Sequence, residues 1–386
     1  VTLLLGLGAA FRDFTLQEHE MVNRKQMVRG PLTTVALLML LAGCGSDEDA
    51  RSTGRDGSGG GTEDTGSASD SSDDAQITID TGAGGDTEAD TGTTDTGTTD
   101  TGTTDTGTTD TGGGTLEYGD PDPVPAYSGG ACPTFASGSN DITTSGDSRD
   151  FRLFLPANPA GAPVLFLWHG LGDSADNFAR GMGASQIAQQ YGAVVVVPSM
   201  APGGGLLGPI WSFPSSLGGA PAEQDLTLFD DILGCVDSQY DINNRRVYSA
   251  GFSAGAIWTT YLTMNRAGLL ASTAIFSGGV NDRLTFPYAS SDYPLPVFMS
   301  HGGSTDSFNG ILQFMPMMMT LSEGLATDGH FGLLCTHTEG HTITNDIVLA
   351  GYDFIFRNEW GTGTSPLATD GIPASYPTTC AVVQAP

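Results

Sequence analysis

Residues Arg246 to Gly255 read Arg-Val-Tyr-Ser-Ala-Gly-Phe-Ser-Ala-Gly, a short strand-forming run that enters a Gly-x-Ser-x-Gly turn and leaves it as a helical pattern. Few local patterns restrict a fold more. The serine takes a strained backbone, the flanking glycines let strand and helix pack where a side chain would collide, and the hydroxyl is lifted off the end of a sheet. A strand running straight into a helix calls for a parallel sheet with helical crossovers. With 55 glycines in the chain, five letters alone carry little weight. The flanking strand and helix give the motif its meaning.

The rest of the sequence from about Ser128 keeps this texture. Strands are expected at Phe151 to Leu155, Val164 to Trp168, Ala193 to Val197, Val247 to Ala250, Ser272 to Phe276, Val297 to His301 and Phe331 to Cys335. Helices are expected at Asp176 to Tyr191, Glu223 to Tyr240, Ala254 to Arg266 and Asn345 to Trp360. Short apolar runs alternating with helical periods describe an α/β domain with a mostly parallel central sheet and helices on both faces. Residues 128–386 are read as that one domain, large enough for a substantial core.

The first third of the chain cannot fold this way. From Ser46 to about Tyr127 it is Gly, Thr, Ser and Asp with a Thr-Gly-Thr-Thr-Asp repeat at Thr91 to Thr111. It holds 20 carboxylates against two arginines. Such a stretch buries too little apolar surface to offset its conformational entropy and reads as a disordered acidic linker over residues 45–127. The domain that follows is milder, with 21 carboxylates against eight arginines, and a negative balance argues against nucleic acid as a partner.

Before the linker lies a targeting pattern. Arg24, Lys25 and Arg29 precede the apolar run Pro31 to Ala42, too short for a permanent membrane span, and then Leu41-Ala-Gly-Cys44. Leu-Ala-Gly-Cys resembles a bacterial lipobox, which implies a signal peptide over residues 1–44 and a lipid on Cys44. Residues 1–20 precede the candidate starts Met21 and Met27 and read as an over-extended beginning. The expectation is an exported, outer-membrane lipoprotein at the cell surface or in the periplasm. Cys132, Cys235, Cys335 and Cys380 then form two disulfides in an oxidising space, with three pairings open.

A serine hydroxyl needs a base within hydrogen-bond reach and a carboxylate to orient that base. After Ser253 the candidate carboxylate is Asp306, in His301-Gly-Gly-Ser-Thr-Asp306, and the candidate base is His341, in Glu339-Gly-His341. Asp282 and Asp328 are alternative acids, and His337 competes with His341. The three favoured residues follow the carboxyl ends of expected strands, where ligands bind in open α/β sheets. Oxyanion donors are expected from the backbone N–H of Ala254 and of Leu171, just after His169-Gly170. His337, Glu339 and His341 alternate along an expected loop and not along a helix, unlike the zinc-protease motif, so neither metal nor cofactor is implied.

His169-Gly170, the elbow preceded by Asp241-Ile-Asn-Asn-Arg-Arg-Val-Tyr, the His301 to Asp306 loop and Gly340-His341 together resemble the poly(3-hydroxybutyrate) depolymerase and feruloyl esterase family of secreted α/β-hydrolases. The likeness covers about residues 130 to 360. It implies an α/β-hydrolase fold and hydrolysis of carboxylic esters, such as feruloyl or acetyl esters of plant polysaccharide or a polyester, with Ser253, Asp306 and His341 as the triad. The Asp306 loop is one residue longer than the common His-Gly-x-x-Asp form. His169, Gly170, Trp211 and Trp258 are expected at the substrate site, the two tryptophans as walls of an aromatic acyl pocket. The Met315 to Met319 segment reads as a core helix, with a flexible lid as the competing reading. A monomer is expected, with an ester substrate that can be polymeric. A serine peptidase and a non-catalytic surface lipoprotein built on the same scaffold are the competing functional readings.

Overall fold

The structure, a computed structural model, describes residues 119–201, 210–216, 221–291, 293–362 and 364–384. The expected signal segment, Cys44 and the repeat tract lie outside these residues.

Among the described residues, nine strands form one sheet in the order β1-β2-β4-β3-β5-β6-β7-β10-β11, and β8 (Ser307–Phe308) pairs with β9 (Leu312–Gln313) apart from it. Its centre comprises β3 (Val164–Trp168), β4 (Val194–Pro198), β5 (Val247–Phe252), β6 (Ser272–Phe276), β7 (Val297–His301) and β10 (Gly332–Thr336), all paired in parallel. Every residue of β3, β4, β6 and β7 is buried. Helices cover both faces, which is why these strands read as unbroken apolar runs. One face, with Val164, Phe166, Trp168, Val194 and Val196, packs against α3 (Glu223–Tyr240), α4 (Ala254–Asn265) and α5 (Phe314–Thr327). The other, with Leu165, Leu167, Val195 and Val197, packs against α1 (Ala175–Gly181), α2 (Ala184–Gln190) and α6 (Asn345–Phe356).

The edges are antiparallel. β1 (Gly138–Thr144) and β2 (Asp147–Phe154) form a hairpin through Ser145 and Gly146, both at positive φ, and β2 runs against β4. Alternate residues of β1 and β2 are exposed. That half-polar pattern over Gly138–Thr144 hides a strand from a search for apolar runs. At the far edge β11 (Ala381–Val382) pairs with Leu333 and Leu334, and Cys335 is disulfide-bonded to Cys380. The second disulfide, Cys132–Cys235, ties the segment before β1 to α3.

Several expected boundaries move. The helix read as Asp176 to Tyr191 is two, α1 and α2, because the chain turns at Gly183 with φ 68°. The last long helix stops at Phe356 rather than Trp360, and the Trp360 N–H donates instead to Arg245 O at 2.8 Å. Residues 119–127, assigned from composition to the linker, lie against the domain. Asp122 N–H donates to Gly268 O at 2.8 Å, Asp120 meets Arg245, and Val124 and Tyr127 pack on the core. Spaced prolines hold this segment extended, so it docks through single side chains and carries no periodic signal. The methionine-rich segment lies on α5, with Met317 and Met318 buried and Met319 at the surface.

Candidate active site

β5 delivers Phe252 to the carboxyl end of the sheet, and α4 begins at Ala254. Between them Ser253 sits at φ 56° and ψ −119°. That backbone costs about 1–3 kcal/mol for a residue with a Cβ, so its surroundings must impose it. They do so by close packing. A Cβ on Gly255 would meet the carbonyl oxygen of Trp168 on β3, and one on Gly251 would meet the carbonyl oxygen of Gly255. Ser253 N–H is tied to Phe276 O on β6 at 3.1 Å.

The loops after β7 and β10 bring two further side chains to the serine. Ser253 Oγ lies 2.9 Å from His341 Nε2, and His341 Nδ1 lies 2.7 Å from Asp306 Oδ1. An ionised carboxylate only accepts, so Nδ1 carries the proton and Nε2 is left to accept from the serine hydroxyl. The longer Asp306 loop absorbs its extra residue in a 3-10 turn over Gly303–Thr305. The Gly340 N–H donates to Gly302 O at 3.2 Å and joins the two loops.

Asp306 is fully buried. Burial pushes its carboxyl up, but hydrogen bonds from His341, the Gly302 N–H (2.8 Å) and the Ser277 hydroxyl (2.7 Å) outweigh it and hold the group below the ordinary aspartate value. Ser277 is a site residue that the sequence reading does not pick out. It follows β6 at φ 55°, in Phe276-Ser277-Gly278-Gly279, and that small-residue turn at a strand's carboxyl end is the signal available. Two aromatic rings also escape the sequence reading. Phe252 and Phe314 both stack on the His341 ring, with centroids at 4.8 and 4.4 Å. Phe252 stands next to the serine, but Phe314 arrives from α5, far along the chain.

Beside Ser253 opens a depression of about 400 Å³, open solvent included, lined among the described residues by Leu171, Ala254, Ile210, Phe213, Ile257 and Phe314 with others, none of them charged. Leu171 and Ala254 both border it. The Ala254 N–H opens α4 and has no partner within the helix. Gly170 passes so near that a Cβ there would lie 3.3 Å from Ser253 Cβ. His169 is buried and donates from Nδ1 to Gly170 O at 2.9 Å. Burial lowers its pKa and keeps the ring neutral.

Trp211 and Trp258 do not reach this depression. Both are fully buried, Trp211 donating from its indole to His169 O at 2.8 Å and Trp258 packing edge-on against Trp168. Their neighbours Ile210 and Ile257 line it instead. For Trp258 the reason is helical: one position along α4 rotates a side chain by about 100°, so the segment was right and the face wrong. Among the other candidates, Asp328 accepts from Tyr288 and Ser290, and His337 Nδ1 accepts the Glu339 N–H; neither joins Ser253. Asp282 borders a separate groove with Tyr288. His301 accepts the Gly303 N–H at 3.1 Å and shapes the Asp306 loop.

The sheet order, antiparallel at its edges and parallel at its centre, with a strained serine after β5, defines an α/β-hydrolase fold. Solved structures agree at the level of fold. Native pOPH is 18% identical with a TM-score of 0.54, over 66% of this chain and 97% of that one. Native sOPH is 15% identical with a TM-score of 0.52, over 68% and 98%. Residues 150–303 match the family model described as "Esterase PHB depolymerase". Feruloyl esterase D of Neurospora crassa is 29% identical over 193 residues, 48% of this chain and 63% of the relative. The bifunctional acetylxylan esterase/xylanase XynS20E of Neocallimastix patriciarum is 27% identical over 165 residues, 42% and 22% respectively. The chain therefore spans less than two thirds of either curated relative. The family match contains Ser253 and ends before Asp306 and His341, whose grouping rests on geometry.

Ser277→Ala tests the electrostatics of Asp306. A carboxyl whose folded pKa lies below its unfolded value adds stability that is complete above the unfolded value and disappears as pH falls through the folded one. Losing one of three hydrogen bonds raises the folded value towards the unfolded one. The variant is expected to be about 1–2 kcal/mol less stable than wild type near pH 7. Urea unfolding should show that gap shrinking as pH falls from 5 towards 3. A gap independent of pH would mean that Ser277 acts through packing alone.

Proposed function

We propose that this chain is a serine esterase that cleaves carboxylic esters through an acyl-enzyme. Ser253 is the nucleophile, His341 the general base and acid, and Asp306 the carboxylate that fixes the tautomer of His341. The observation that carries this reading is the hydrogen-bonded line from Asp306 through His341 to Ser253, ending at a depression whose described lining is uncharged.

Ser253 Oγ attacks the ester carbonyl carbon as its proton passes to His341 Nε2, and the carbonyl oxygen becomes an oxyanion received by the N–H groups of Leu171 and Ala254. Collapse breaks the bond to the alcohol, which takes the proton from Nε2. Water then attacks the acyl-enzyme with His341 again as base, and the acid leaves. Asp306 stays ionised throughout, and its depressed pKa supports that role. Phe252 and Phe314 keep the His341 ring in plane with both partners and favour the transient imidazolium through their π faces.

An acyl pocket without charged walls suits an uncharged acid. Feruloyl or acetyl esters of plant polysaccharide are the substrate class favoured by the names of the two relatives, and the family description points to polyester as the other. The two disulfides support an exported protein. In this reading Cys44 carries a lipid, and the acidic tract joins that anchor to the catalytic domain.

The full chain should hydrolyse p-nitrophenyl acetate, butyrate and ferulate. Ser253→Ala and His341→Ala should each lower kcat by about 10⁴-fold or more. Wild type and Ser253→Ala with equal residual rates would overturn the esterase reading. The anchor is checked separately by growing cells on labelled palmitate. Label should enter the protein and vanish in Cys44→Ala, and label that persists in the variant would remove Cys44 from the account.

A further inference from the structure

Among the described residues, the most deeply buried ion pair has no part in this chemistry. Arg149 on β2 and Asp225 in the first turn of α3 are 2% and 0% exposed and meet through Nη1 and Oδ1 at 2.6 Å. Arg149 Nη2 also donates to Ser199 O at 2.9 Å, and the second oxygen of Asp225 accepts the backbone N–H of Ser212 at 2.7 Å. A pair this deeply buried recovers little of its desolvation cost as stability, and apolar residues of similar volume are often as good or better. What it supplies is direction, because each oxygen of Asp225 is committed to one partner.

That direction leads to the site. Ser212 follows Trp211, whose indole N–H donates to His169 O at 2.8 Å and whose ring stands edge-on to Trp168 and His169, with centroids at 5.0 and 5.2 Å. His169 in turn holds Gly170 O through Nδ1. Gly170 leads into Leu171, beside the serine. Three hydrogen bonds thus connect a buried ion pair, two elements away, to the backbone expected to bind the oxyanion.

We infer that the Arg149–Asp225 pair is a positioning device for the Leu171 donor, acting through Ser212, Trp211 and the His169 carbonyl. The inference rests on the oxyanion role proposed above for Leu171. Arg149, Asp225 and Trp211 touch no substrate; they fix the loop that does. A donor misplaced by about 1 Å costs on the order of 10²-fold in rate, and losing one outright costs about 10²- to 10³-fold. The loss falls on kcat, because the oxyanion exists only after attack, while KM stays close to that of wild type.

Steady-state kinetics of the full chain on p-nitrophenyl acetate test this with four proteins: wild type, Trp211→Phe, the double variant Arg149→Met with Asp225→Leu, and all three changes together. Trp211→Phe removes the indole N–H and keeps an aromatic ring. It and the double variant should each lose about 10-fold or more in kcat, with KM within about 3-fold. The triple variant should lose little beyond either, because both cuts fall on one chain of contacts. Inhibition by a trifluoromethyl ketone, whose serine adduct carries the oxyanion, should weaken in proportion to kcat. A folded double variant with wild-type kcat, or losses that multiply in the triple variant, would overturn the inference. If the double variant does not fold, Trp211→Phe decides alone, and wild-type kcat there overturns it. An active wild type with indifferent variants sinks only this inference, whereas an inert wild type sinks the esterase reading and this with it.

Discussion

Ser253 holds a left-handed backbone because nothing stands where Cβ atoms would be at Gly251 and Gly255, and α4 can therefore press its first turn against the carbonyl of Trp168. Most of the site follows from that contact. With β5 paired to β3 on one side and β6 on the other, the serine is fixed relative to three strand ends at once. β3 leads to Gly170 and Leu171, β6 to Ser277, and β7, next in order, to Gly302 and Asp306. The strain at Ser253 is sustained by the packing of a whole sheet, and a single substitution at either glycine would strike all of these relations together.

The electrostatics build on the same frame. Asp306 is removed from water, which by itself would favour its neutral form, and three donors from three different segments restore the charge. His341 is the least enclosed member of the line, with its side chain 21% exposed, and the two phenylalanine rings constrain what burial leaves free. A rigid carboxylate, an oriented imidazole and a strained serine are each costly to hold. Their cost is met by the large, two-faced core beneath them.

Much of this arrangement was legible in the chain. The central strands β3, β6 and β7 and the helix Glu223–Tyr240 were readable to the residue, because strands buried on both faces are unbroken apolar runs and a long helix repeats its pattern often. β1 was not, since a half-exposed edge strand alternates polar and apolar residues, and the two-residue β11 is too short to carry any pattern. Ser253 announced itself through local geometry that few sequences satisfy. Asp306 and His341 were recoverable from order and placement after strands. Ser277 was marked only by its small-residue turn after β6, and Phe314 and the Arg149–Asp225 pair were out of reach because their meaning lies in contacts between segments far apart in sequence. The two tryptophans show the complementary failure. A large aromatic near the serine invited a substrate role, whereas its volume was wanted in the core and smaller neighbours took the pocket wall.

The proposed activity depends on covalent chemistry at Ser253. Mixing the full chain with excess p-nitrophenyl ferulate, quenching in acid within milliseconds to seconds and weighing the intact protein would test it most directly. The prediction is a mass increase of one feruloyl group, mapped by peptide fragmentation to Ser253, that forms with the burst of p-nitrophenol and decays at the steady-state rate. Turnover with no adduct at any time, or an adduct on another residue, would contradict it.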